Sequence, residues 1–235
     1  MSGVIRAPKS LPVVRFVPAL AACGVLLLAG CGTATGQQDQ QGRESAAPSG
    51  ECSYTAEGDP AKPVDPPSTN GIKRSGQVSW TLTTSQGDLT LTGDAEHAPC
   101  TVHSFDSLVK QQYFDDTKCH RLVDSGIFVL QCGDPSATGR GGPGYSFPDE
   151  KSALNSYKQG AVAMANAGPD TNGSQFFLVY QDSDLPPDYT VFATMDQASI
   201  DVVGRIAAEG QDGSNEAGGG VPNNEAKIIR AAPKA

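Results

Sequence analysis

Between Ala161 and Tyr180 the chain reads AVAMANAGPDTNGSQFFLVY, residue types whose spacing can build a binding groove. Small and apolar residues lead into a loop, Asn166 to Gly173, that holds a Gly-Pro and an Asn-Gly dipeptide, both strong turn formers. The β-prone run that follows places Gln175 and Phe177 on one face and Phe176 on the other, because side chains alternate along a strand. Two strands with Asn166 in the loop between them, and Gln175 and Phe177 on a shared face, make a shallow surface, half polar and half aromatic. Other chemistries lack their residues. His97, His103 and His120 share no ligand spacing with one another or with the cysteines, so no metal is expected. There is no Cys-x-x-Cys pair and no Gly-x-Ser-x-Gly, which counts against redox and serine-hydrolase activity. The glycine-rich run from Gly139 to Gly144 lacks the Lys-Ser/Thr and the helix start of a phosphate cradle, and reads as a surface loop near the groove.

This stretch resembles the signature of the cyclophilin family of peptidyl-prolyl cis/trans isomerases. The matching residues are Met164-Ala165-Asn166-Ala167-Gly168-Pro169 and Thr171-Asn172-Gly173-Ser174-Gln175-Phe176-Phe177. Upstream, Tyr113-Phe114, His120-Arg121 and Gln131-Cys132-Gly133-Asp134 fit the family's order; downstream, Leu185 and Tyr189-Thr190-Val191-Phe192 do so. The resemblance implies catalysis of X-Pro rotation, which must break amide resonance against a barrier of roughly 18–20 kcal/mol. In the twisted state the prolyl nitrogen becomes pyramidal and more basic. A fixed donor aimed at it, beside a dry pocket that holds the ring, favours that state without nucleophile, metal or cofactor. By resemblance Arg121 is the donor and Gln131 holds its guanidinium. Asn166 pairs with the substrate backbone, next to Ala165. Phe128, Val129, Phe177 and Leu185 line the proline pocket, with Gln175 and Tyr189 at its rim. A non-catalytic proline-peptide-binding or chaperone module is the alternative, and the presence of Arg121, Gln131 and Phe177 favours the enzyme.

The chain departs from the family's pattern in places. The segment between Arg121 and Gln131 is about two residues longer than the common form, and the extra length is expected in the turn Asp124-Ser125-Gly126. Val129 stands where many members have Met, and Tyr189 where many have His. Asp184 replaces a Trp associated with cyclosporin binding, so weak inhibition by cyclosporin is expected.

The elements that must position these residues follow from periodicity. Val78, Trp80, Leu82 and Thr84 alternate, Gln86-Gly87 turns, and Leu89 to Leu91 resumes, which predicts a hairpin. Val102, Phe105, Leu108 and Val109 recur at helical spacing, with Thr101 as the expected N-cap. Thr117 to Asp134 reads as two strands, Gln197 to Glu209 as a second helix, and Lys227 to Ala231 as a closing strand. This order makes the chain mostly β. The resemblance implies a closed eight-stranded antiparallel barrel capped by two helices, over residues 77–235.

Residues 1–30 carry Arg6, Lys9 and Arg15 before an apolar run, the pattern of an export signal. The ending Leu28-Ala29-Gly30-Cys31 resembles a bacterial lipobox, with Cys31 lipidated and the protein held at the outer face of the cytoplasmic membrane. Residues 31–76 are rich in Gly, Gln, Ser and Pro without apolar periodicity, the composition of a flexible tether. The formal charge of −9 becomes −12 on loss of the three N-terminal cations, which excludes nucleic acid as a partner through bulk electrostatics. The expected partners are proline-containing polypeptides and, through the lipid, a membrane; a monomer is expected. Setting Cys23 and Cys31 aside, Cys52, Cys100, Cys119 and Cys132 remain, an even number that allows two disulfides in three connectivities.

Overall fold

The computed structural model describes residues 51–151 and 156–234. The export signal, Cys31 and residues 31–50 of the expected tether lie outside the described residues. In chain order the elements are β1 (Thr55–Ala56), β2 (Gln77–Thr84), β3 (Gly87–Asp94), α1 (Pro99–Lys110), β4 (Thr117–Lys118), β5 (Arg121–Ser125) and β6 (Ile127–Cys132). They continue as β7 (Tyr145–Ser146), β8 (Ala161–Met164), β9 (Phe176–Val179), β10 (Val191–Met195), α2 (Gln197–Ala208) and β11 (Lys227–Pro233).

The alternation in β2 buries Trp80, Leu82 and Thr84 on one face, and the strand pairs with β3 from Gln77↔Asp94 to Thr84↔Gly87. Trp80 is accommodated by Gly93 across the ladder, since a Cβ there would stand 2.5 Å from the indole Cη2. Its Nε1 donates to Asp106 Oδ1 at 3.0 Å, which satisfies the one polar atom the core must bury with it. From α1, Phe105 meets the rings of Trp80, Phe114, Phe192 and Phe176 at centroid distances of 4.8, 5.0, 5.1 and 5.3 Å. The helical spacing of Val102, Phe105, Leu108 and Val109 therefore does what periodicity predicts and closes the main core.

The start of α1 is corrected. Its N-cap is Ala98, with Pro99 in the first turn, and Thr101 is buried inside the helix. The capping acceptor comes from Glu150, which takes the N–H groups of Cys100 and Thr101 at 2.9 and 2.8 Å and the Thr101 hydroxyl at 2.8 Å. Burial raises the Glu150 pKa, and these bonds pull it back. A distant carboxylate thus satisfies helix donors that local sequence leaves open. In α2 the cap is local: Asp196 Oδ1 accepts from the Ser199 N–H at 2.9 Å.

The expected closed barrel of eight strands is also corrected. Among the described residues nine strands form one antiparallel sheet in the order β4-β11-β2-β3-β10-β8-β9-β6-β5, and its two edges share no ladder. The edges are consecutive in the chain, joined by Cys119-His120. The Cys119 N–H bonds to Ala226 O and the His120 N–H to Gln131 O, while Leu122 exchanges two backbone bonds with Gly220. A loop strand therefore covers the free side of β5 where a closing β-strand would lie. The added length between Arg121 and Gln131 extends the β5–β6 ladder to Ser125↔Ile127, around Gly126 at φ 77°.

Cys52 pairs with Cys100 and Cys119 with Cys132, one of the three connectivities left open by the count. Across separations of 48 and 13 residues the chain-entropy account assigns about 4 and about 3 kcal/mol to these links. Composition predicts a tether as far as residue 76, yet residues 51–76 are attached to the domain. Cys52 is buried in its disulfide, β1 pairs with β7, and Lys62 Nζ donates to Gln112 O and Asp115 O. Side-chain and main-chain partners far along the chain supply the order that local composition does not.

Replacing Glu150 by Ala should lower the unfolding free energy by about 1–3 kcal/mol, because two helix N–H groups and a buried hydroxyl lose their acceptor. Denaturant melts of the wild type and variant check this; the denaturant midpoint should fall and the slope stay unchanged.

Candidate active site

The strands β5, β6, β9 and β8 carry a second apolar cluster on the face away from the main core. Leu122, Leu130, Cys132, Leu178, Phe176, Val162 and Met164 enter the main core, while Val123, Val129, Phe177, Val179, Ala161 and Ala163 enter the second cluster. Period-two alternation divides them, and β8 and β9 are buried at every position because both faces are covered. Tyr157 completes the second cluster, with Ile127, Ala165, Leu185, Tyr189 and Val191 half-buried against it. Tyr189 stands edge-on to Phe177 at 5.5 Å, and the Tyr157 hydroxyl donates to Tyr189 O and accepts from Tyr189 N–H, both at 3.0 Å.

At the rim of this cluster lies a polar row. Arg121 and Gln131 are cross-strand partners, and Gln131 in turn faces Phe177 on β9. Arg121 Nη1 donates to Gln131 Oε1 at 3.2 Å, Gln131 Nε2 to Gln175 Oε1 at 2.8 Å, and Gln175 Nε2 to Gly141 O at 3.0 Å. Two main-chain carbonyls hold the other side of the guanidinium: Nε donates to Gly218 O at 2.9 Å and Nη2 to Ala217 O at 3.0 Å. Among the described residues three of the five donors are engaged, which leaves one N–H on each terminal nitrogen for a ligand. Partial burial lowers the Arg121 pKa and the neighbouring Tyr189 opposes that shift; the group remains a cation. The carbonyl loop is held close by Gly219, at φ 75°, where a Cβ would stand 2.0 Å from Leu122 O.

Asn166 ends the row. Its side-chain Nδ2 donates to Asp188 O at 2.9 Å and its Oδ1 accepts from the Gly168 N–H at 3.3 Å. Among the described residues its own backbone N–H and C=O have no partner, as a strand-like substrate contact needs. A cavity of about 470 Å³ opens beside the aromatic cluster, walled by Gln131, Gln175, Ala165, Asn166 and the loop 139–146.

The structure thus brings together Arg121, Gln131, Val129, Ala165, Asn166, Gln175, Phe177, Leu185 and Tyr189. Phe128 it places elsewhere. That side chain lies on the opposite face of β6 and stands edge-on to Tyr180 at 6.0 Å, while Ile127 takes the cluster side. Alternation from Gln131 through Val129 to Ile127 carried this signal, and it also marks Val123 opposite Val129. Tyr157 comes from a segment without a pattern. The Ala217 and Gly218 carbonyls are main-chain groups that no residue type announces.

Asp134 organises the loop wall. Its carboxylate accepts from the N–H groups of Ser136 at 2.7 Å, Gly139 at 2.7 Å and Gly141 at 3.0 Å, and from the Ser136 hydroxyl at 2.7 Å. Burial alone would raise the Asp134 pKa, but these bonds outweigh it and hold the carboxyl below the usual carboxylate range. His120, buried nearby with both ring nitrogens unpartnered among the described residues, is shifted down by desolvation, against the attraction of Asp134.

A curled antiparallel sheet with two helices, carrying a partly aromatic cluster with an arginine held at its rim, defines a mostly β class of domain. A family profile described as "Cyclophilin type peptidyl-prolyl cis-trans isomerase/CLD" matches residues 79–232, and the chain belongs to that family. It is 46% identical over 182 residues to a "Probable peptidyl-prolyl cis-trans isomerase B" of Mycobacterium leprae, a match covering 69% of this chain and 62% of that protein. The chain therefore spans about three fifths of the length of that relative. It is 38% identical over 159 residues to the human "Peptidyl-prolyl cis-trans isomerase-like 1", covering 65% of this chain and 90% of that one. A crystal structure of a Cryptosporidium parvum cyclophilin type peptidyl-prolyl cis-trans isomerase superposes with a TM-score of 0.60 at 27% identity, covering 68% of this chain and 99% of that one.

A carboxyl with a depressed folded pKa stabilises above its unfolded value, near pH 4, and loses that contribution as pH falls through the folded value. Asp134→Asn should therefore destabilise the protein at pH 7, and the gap between variant and wild type should narrow below about pH 4. Urea melts across pH 3–7 check it; a gap independent of pH would contradict the assigned charge state.

Proposed function

We propose that this chain is a peptidyl-prolyl cis-trans isomerase acting on proline-containing segments of exported or envelope proteins. Family membership and the similarity to proteins named as isomerases support the reaction. The observation that carries the mechanism is Arg121, fixed by Gln131 and the carbonyls of Ala217 and Gly218, with two N–H donors left over. In this reading an extended substrate pairs with the Asn166 backbone and seats its proline ring against Phe177, Val129, Leu185 and Tyr189. Arg121 then donates to the prolyl nitrogen as it becomes pyramidal. The bond gains strength only as resonance is lost, so it lowers the barrier more than it tightens substrate binding. The Gln131–Gln175–Gly141 chain keeps the guanidinium from following the solvent, which preserves its aim.

Export and a lipid at Cys31 complete the proposal. The basic residues, apolar run and Leu28-Ala29-Gly30-Cys31 ending of the N-terminal segment support it. So do two disulfides in the domain, since such links persist in oxidising compartments.

Arg121→Ala should lower kcat/KM on a proline tetrapeptide by more than about tenfold, or about 1.4 kcal/mol, with the fold intact by circular dichroism. A smaller loss would rule out the donor role. For the anchor, intact mass of protein from membranes should show loss of residues 1–30 and a diacylglyceryl group on Cys31. A Cys31→Ala protein that still sediments with membranes would refute it.

A further inference from the structure

The cavity beside the aromatic cluster has a wall that does not come from the family domain. Residues 51–62 precede the matched span 79–232, yet Glu57 and Asp59 line the same cavity as Gln131, Gln175 and Asn166. The segment is held in place on both sides of these two acids. Before them, the Cys52–Cys100 disulfide, the Tyr54 hydroxyl bond to Cys100 O at 2.8 Å and the β1–β7 ladder attach it. At and after them, Glu57 N–H donates to Gly144 O at 2.8 Å and Ala61 N–H to Gly142 O at 2.9 Å. The fit is close: a Cβ on Gly144, at φ 78°, would stand 3.0 Å from Pro60.

Both carboxylates are exposed, and among the described residues neither has an ion-pair or hydrogen-bond partner. Among the described residues Arg140 is the one cation lining the cavity and forms no ion pair with either acid, so this wall carries more negative than positive charge. A volume of about 470 Å³ accepts a long side chain. The residues it shares with the catalytic row, Gln131, Gln175 and Asn166, put any occupant within a few residues of the proline.

We infer that residues 55–60 form part of the substrate groove, and that Glu57 and Asp59 make this cavity a subsite for a lysine or arginine side chain near the substrate's proline. The inference rests on the isomerase reading and adds a substrate preference to it. The cation's stem lies along Ala165 and the loop wall while its head meets the two carboxylates at the open edge. Because the acids are solvated, they bias the choice of substrate rather than create binding on their own.

The test uses the full-length protein and peptides with a single X-Pro bond, in which Lys, Leu or Glu occupies in turn each of the three positions on either side of the proline. At low ionic strength Lys should exceed Glu in kcat/KM by about three- to tenfold at one of these positions, the range two exposed ionic contacts can supply. Salt should compress the ratio. In Glu57→Gln/Asp59→Asn the ratio should fall close to one while turnover of the Leu peptide stays unchanged. Equal Lys and Glu rates at every position, or a Lys preference that survives the double substitution, would overturn the subsite. No turnover of any peptide would instead overturn the isomerase reading beneath it.

Discussion

The architecture depends on strands β5, β6, β8 and β9 being buried on both faces. One parity, Leu122, Leu130, Phe176 and Leu178, closes the main core around Phe105 and Trp80. The other, Val123, Val129, Phe177 and Val179, builds the apolar floor of the site. A one-residue slip in the β6–β9 register would turn one strand over against the other, sending Gln131 toward the core or Phe176 into the groove. Stability and site geometry are thus consequences of a single register, and the packing that specifies one specifies the other.

On that floor the polar groups form chains with few loose ends. Arg121, Gln131, Gln175 and Gly141 are linked in series, and Asp134 gathers the loop that carries Gly141. The opposite side of Arg121 leans on the carbonyls of a loop whose close approach needs Gly219. A guanidinium bonded on several sides loses little further freedom when substrate arrives. The cost is borne by glycines: Gly141 and Gly219 are sites where a Cβ would stand 2.0 Å from Asp134 Oδ1 and from Leu122 O.

The open sheet edge and the disulfides belong to the same region. Cys119 and Cys132 join the link between β4 and β5 to the end of β6, next to the Arg121↔Gln131 pair. The loop at Gly220 bridges Leu122 on the free side of β5, so the edge strand that carries Arg121 is protected without a ninth-to-first ladder. Cys52–Cys100 works at longer range and brings an N-terminal segment to the groove.

Much of this was legible in the residues alone. Alternation in Val78–Thr84 and the spacing of Val102, Phe105, Leu108 and Val109 determine their elements, because each presents an apolar face that must be buried. The sequence blocks around Arg121, Gln131, Asn166 and Phe177 determined the family and named most of the residues that the structure brings together. Three things departed from that reading, the first through strand parity and the other two through tertiary contacts alone. Strand parity, not proximity to Val129, put Phe128 against Tyr180 and Ile127 against the pocket. The helix cap came from Glu150 and the holding contacts of Arg121 from main-chain oxygens, groups that local sequence does not pair with their targets. The segment before residue 77 reads as a tether because its composition cannot form a core of its own; a disulfide and a two-residue ladder to distant partners place it against the domain.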